Sequence, residues 1–174
     1  QKKISIDQVL NSTIVAYPLG MMDCSPVTDG AASIVLCAAE KAKEYTDKPI
    51  KIIGSGQGSD TLALHSRRDI CTLDAPDHAA NMAYKQANIS PKDVDLAEVH
   101  DCFSITEIIN YEDLGFVKPG EGVRLIEAGQ TYPDGRIPVN PDGGILSKGH
   151  PIGATGISQI RTIVRQLRGE CGKT

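Results

Sequence analysis

His100-Asp101-Cys102-Phe103 and Gly149-His150-Pro151 place two imidazoles and a thiol in two short loops. Imidazole titrates near neutrality, so it can take a proton from a thiol and donate hydrogen bonds to a developing oxyanion. That suits nucleophilic or acid–base work on an acyl group. His150 lies in the stretch Asn140 to Gly156, NPDGGILSKGHPIGATG, where glycine lets backbone approach a ligand closely and Pro151 stiffens the entry to the next helical pattern. Plainer readings fit the same residues: His150 in an ordinary surface turn, His100 as a satisfied turn histidine, Cys102 as packing. A metal site fits poorly, because His100 and Cys102 are two apart on a tight turn and no further Cys/His pair stands at zinc spacing.

The elements flanking these loops decide whether they can act. Val94 to Val99 reads as a strand that ends at His100. Ser104 to Leu114 reads as a helix opened by an S-x-x-E capping box, Ser104 with Glu107, and closed by Gly115. The HDCF loop would then sit between a strand's carboxyl end and a helix's amino end, where open α/β sheets bind ligands. Beyond His150, Ile157, Ile160, Ile163, Val164 and Leu167 recur at helical spacing up to Gly169.

Upstream, the pattern predicts a short helix over Lys2 to Leu10, capped by Ser5 or Asp7. It also predicts a strand buried on both faces over Ala31 to Ala38 with Cys37 packed inside it, a helix over Ala39 to Tyr45, and a second strand over Ile50 to Ile53. Two strands joined through a helix suggest a parallel βαβ unit and an α/β fold. Gly54-Ser55-Gly56-Gln57-Gly58 falls short of a dinucleotide fingerprint, since its third glycine comes one place early. Asp77 is the expected N-cap of a helix from His78 to Ala87 that Asn88 stops, and Pro119 to Gly129 holds a short connecting helix.

The 174 residues suffice for one domain with a proper core. With 40% hydrophobic residues, 23% charged residues and a net charge of −4, the composition is that of a soluble globular protein. No basic cluster interleaves with aromatics, Trp is absent and only two Phe occur, so nucleic acid is not an expected partner. No apolar run approaches the roughly 18 residues of a membrane span, and the amino end lacks a signal-peptide core. Five cysteines at wide, irregular gaps, without a CxxC pair, fit a reducing compartment rather than a disulfide framework.

Four segments together carry a resemblance: HDCF at His100 to Phe103, GGILSKGHPIGATG at Gly143 to Gly156, DCSPVTDGAA at Asp23 to Ala32, and RQLRGE at Arg165 to Glu170. In this order they resemble the C-terminal portion of the thiolase superfamily, and more narrowly its sterol-carrier-protein-type members and archaeal acetyl-CoA acetyltransferases. The resemblance implies a thiolase-like C-terminal half, a mixed β-sheet flanked by helices and lacking its last strands. Residues 1–22 would be a leader from the N-terminal half and 23–174 the C-terminal domain. It further implies an acyl-CoA C-acyltransferase that catalyses Claisen condensation or thiolysis of coenzyme A thioesters, without a bound cofactor.

Residue by residue, the resemblance gives His150 the part of the loop histidine that activates the nucleophile and donates to the thioester oxyanion. His100 stands where many thiolases have an asparagine that holds a water in that oxyanion hole. Cys102 takes the position of the acid/base thiol, and Ser25 matches a serine that contacts the pantetheine of CoA. Asp101 and Phe103 read as structural. Nothing in this chain matches the motif of the acyl-accepting cysteine, so the fragment alone is expected not to turn over. Expected partners are CoA and acyl-CoA, a second copy or an N-terminal thiolase half and, in an archaeal setting, a hydroxymethylglutaryl-CoA synthase and an OB-fold protein. The expected location is cytoplasmic, with a peroxisomal one left open. Two rival readings use the same residues: a cysteine hydrolase with Cys102 as nucleophile and His150 as base, and a non-catalytic, thiolase-derived interaction module.

Overall fold

A computed structural model describes residues 3–172. Lys2, where the first predicted helix begins, and Lys173 and Thr174, which close the predicted C-terminal domain, lie outside the described residues. The described residues form six α-helices: α1 (Ile6–Leu10), α2 (Asp74–Ala87), α3 (Ser104–Asp113), α4 (Gly122–Glu127), α5 (Gly144–Lys148) and α6 (Ile152–Arg168). Their stops agree with the sequence. Asn88, Gly115 and Gly169 take positive φ after α2, α3 and α6, a conformation that glycine adopts without penalty and asparagine tolerates. Ser5 caps α1 through a reciprocal capping box with Gln8.

Two helix starts differ from expectation. α2 begins four residues early, at Asp74, because Pro76 is tolerated within a first turn; Asp77 lies inside the helix and accepts a hydrogen bond from Asn81 instead of capping. α3 has Phe103 at its cap position with no side-chain cap. Ser104 is already helical, and its hydroxyl donates to Asp23 Oδ1 at 2.8 Å, tying the DCSP segment to α3.

The larger correction concerns strands. Among the described residues the one ladder is a two-stranded antiparallel pair, β1 (Ile14–Ala16) with β2 (Leu19–Gly20); elsewhere the isolated bridges Cys24·Phe103 and Ala97·Val139 each link two segments, so the expected strand Val94 to Val99 is reduced to the single bridge at Ala97. The expected strands at 31–38 and 50–53 have no ladder partner and do not form the predicted βαβ unit. Nor is 31–38 buried on both faces: Val35 is 95% exposed, and Leu36 and Cys37 are exposed as well. The helix expected over Ala39 to Tyr45 is a 3-10 helix, Ala39–Glu44.

The GSGQG run packs rather than binds. A Cβ on Gly54, Gly56 or Gly58 would fall 2.4, 1.9 or 2.2 Å from the carbonyl oxygens of Ala83, Ala79 and Ala75. Every second residue of an extended chain thus meets every fourth residue of α2, which only glycine permits at this approach.

The core is formed by Val99, Tyr111, Leu125 and Val139, with Ala97, Leu114, Phe116, Val117 and Ile126 packed around them. It joins α3 and α4 to the Ala97·Val139 bridge, directly before His100 and Asn140.

Candidate active site

The two predicted loops meet. The rings of His100 and His150 contact edge to face, with centroids 4.8 Å apart and planes at 73°. The closure rests chiefly on Asp101, which is 1% exposed. Its carboxylate accepts from the backbone N–H groups of Ile145 (2.8 Å) and Leu146 (3.2 Å), satisfying donors in the first turn of α5. Gly144 is required beside it: its φ is +65°, and a Cβ there would fall 2.1 Å from Asp101 Oδ2. The expectation that Asp101 is structural agrees with this geometry.

The DCSP segment bridges the same two loops. Ser25 N–H donates to the Cys102 carbonyl at 2.9 Å, and His150 N–H donates to the Pro26 carbonyl at 3.0 Å. Ser25 therefore lies at the site through its backbone. Asn140 (φ +47°) completes the frame: its Oδ1 accepts from Val99 N–H and its Nδ2 donates to Glu107, each at 2.8 Å, while Tyr111 donates to the same carboxylate. Burial raises the Glu107 carboxyl above its ordinary pKa, against these hydrogen bonds. Gln159 of α6 donates to the Val99 carbonyl at 2.7 Å.

The His150 ring is held through Nδ1, which lies 2.7 Å from Thr155 Oγ1; that hydroxyl also lies 3.2 Å from the Pro151 carbonyl. Nε2 is the ring nitrogen that Thr155 leaves unengaged. The pKa of His100 is lowered, first by burial and then by the nearby His150. Cys102 sits one residue before the α3 cap position, and its sulfur lies 4.0 Å from Thr106 Oγ1. Among the described residues neither imidazole hydrogen-bonds to it. No cluster of three or more His, Cys, Asp or Glu suited to a metal ion occurs among the described residues.

Comparison with known proteins gives this geometry a family. A family profile described as thiolase C-terminal domain-like matches residues 56–174. The chain belongs to this thiolase family. The acetyl-CoA acetyltransferase of Methanothermobacter thermautotrophicus is 57% identical over 171 residues, spanning 98% of this chain and 45% of that protein. Sterol carrier protein 2 of Oryctolagus cuniculus is 36% identical, over 99% of this chain and 32% of its own length. The solved structure of an Ltp2–ChsH2(DUF35) aldolase superposes with a TM-score of 0.86 at 26% identity, covering 96% of this chain and 44% of that one. The chain thus spans less than half the length of these thiolase-family relatives. No described helix is long and apolar enough to cross a membrane.

His100 and His150 are the predicted residues that come into direct contact; Cys102 and Ser25 adjoin them through backbone. The sequence reading passed over Thr155, Asn140, Glu98 and Lys148. Thr155 could have been found from its spacing, since a hydroxyl five residues after a loop histidine on an opening helix is within reach of the ring.

Proposed function

We propose that this chain carries the two-histidine part of a thiolase-type acyl-CoA acyltransferase site that acts on coenzyme A thioesters. The 4.8 Å contact between His100 and His150 carries the reading, because thioester enolate chemistry needs converging donors for one oxygen. In condensation, a base removes a proton α to one thioester carbonyl. The resulting carbon attacks the acyl carbon of a second thioester and a thiolate leaves; thiolysis runs these steps backwards.

His150 would act through Nε2, activating the nucleophile and, once protonated, donating to the oxyanion. His100 would donate to the same oxygen, Cys102 would serve as the acid/base thiol, and Ser25 would contact pantetheine. The Thr155 contact supports this use of His150, since it engages Nδ1 and leaves Nε2 for chemistry. The hydrolase alternative lacks such support, because Cys102 approaches Thr106 rather than an imidazole.

The acyl-accepting cysteine would come from outside these 174 residues, so the isolated chain is expected to give no acetoacetyl-CoA thiolysis. Residues 1–22 would belong with that N-terminal half. The exposed Val27, Val35, Leu36 and Ile52 support a partner face, against which the extended segments would join a mixed sheet flanked by helices. A second copy or a thiolase N-terminal half would fill this role. The DUF35 component named with the aldolase structure supports an additional partner.

The test is a chimaera in which this chain replaces the matching segment of the Methanothermobacter acetyl-CoA acetyltransferase. Thiolysis by the chimaera should fall about 100-fold or more on His150→Ala. Undiminished turnover in that variant would overturn the reading.

A further inference from the structure

Glu98 stands two residues before His100, and Lys148 stands two residues before His150. Glu98 and His100 lie two apart in extended chain and so share a face, whereas Lys148 ends α5 and His150 follows it across Gly149. The structure pairs both sets: Lys148 Nζ lies 3.6 Å from Glu98 Oε2, and the His100 and His150 rings touch. Two side-chain rungs therefore connect the same two segments, one ionic and one aromatic.

The ionic rung is unusual in its burial. The Glu98 side chain is 2% exposed, and its 3.6 Å contact with Lys148 is longer than an ordinary hydrogen bond. Its charged neighbours are Asp142, Lys148 and Asp101. It also lines a cleft of about 820 Å³ beside α6, which Arg161 and Arg165 border. Lys148 also pairs with Asp142 at the other end of α5. Asp142 in turn accepts from Gly144 N–H and from Thr162 of α6. Lys148 thus ties the end of α5 both to its own beginning and to the segment that carries His100.

We infer that Glu98 and Lys148 are positioning residues for the imidazole pair: their contact holds the His150 segment in register with the His100 segment. The inference deepens the function proposed above and rests on the two histidines forming one site. Removal of Lys148 frees the carboxyl end of α5 at Gly149, where φ is +91° and Thr28 crowds the backbone. The His150 backbone stays tied to Pro26, and the ring to Thr155, but the contact that sets its segment against that of His100 is lost. Arginine keeps the charge and the reach, so Lys148→Arg retains the contact.

The experiment is proton NMR of the 174-residue chain, whose four histidines can be assigned individually. At pH 8 the unmodified chain should show a ring–ring Overhauser cross-peak between His100 and His150. Lys148→Met and Glu98→Leu should each lose it, and Lys148→Arg should keep it. Glu98→Leu guards against misfolding, because replacing a buried charge with an apolar residue of similar volume is often neutral or stabilising. Persistence of the cross-peak in folded Glu98→Leu or Lys148→Met overturns the inference, as does its loss in Lys148→Arg. The readout needs no substrate, so failure of acyl transfer in the chimaera would sink the proposed function and leave this result standing.

Discussion

The loop around His150 and the apolar segment around Val35 exchange the roles that their compositions suggest. Gly143 to Pro151 reads as a turn over a surface, yet Asp101 and Pro26 hold it through hydrogen bonds from distant parts of the chain, and Asp142 and Thr155 through local ones. Ala31 to Ala38 reads as a doubly buried strand, yet it has no ladder partner and leaves Val35 and Leu36 in solvent. Glycine allows close approach and therefore many backbone contacts, whereas an apolar strand is only as buried as the partners beside it. At this site specific polar bonds add to the burial of Val99 and Ile145, whereas 31–38 has neither a ladder partner nor burial of Val35 and Leu36.

That contrast can be broken most forcefully at Asp101. Asp101→Ala strips the acceptor from two N–H groups of α5 and should cost about 3 kcal/mol or more, read as a fall in the urea midpoint. Gly144→Ala should come next at about 2 kcal/mol, since it adds a Cβ against that carboxylate at a positive φ; thermal unfolding would measure it.

Glu98→Gln should act in the opposite sense. Burial and the charge of Asp142 push the Glu98 carboxyl up to about 7. Between its ordinary value and about 7 the folded chain binds more protons than the unfolded one, so Glu98 lowers stability as pH rises through that window. Glu98→Gln should therefore stabilise the chain by on the order of 2 kcal/mol at pH 8 and by nearly nothing at pH 4, seen in paired denaturation curves. Leu36→Ser, in the exposed segment, should change stability by less than about 0.5 kcal/mol. A large loss there would mean that 31–38 is buried after all.

Helices were legible because their signals are local. The apolar spacing of Ile157 to Leu167 and the stops at Asn88, Gly115 and Gly169 each lie within a few residues of the element they define. The strands failed for the opposite reason: whether Ile34 or Ile52 is paired depends on what lies beside it, which no local window contains. The site divides along the same line. His100, Cys102 and His150 stand out by chemistry and Asp101 was readable as structural, but its bond to Ile145 spans 44 residues. Ser104 and Glu107 satisfy the capping pattern, yet each bonds to a distant residue, Asp23 and Asn140. Glu98 and Lys148 look like ordinary surface charges until the fold sets them against each other.

Hydrogen exchange read by mass spectrometry on the 174-residue chain tests the contrast most directly. The Ile145, Leu146 and His150 amides, bonded to Asp101 and Pro26, should exchange far more slowly than those of 31–38 and 50–53. Equal rates in the two regions, or faster exchange in the histidine loop, would contradict the account.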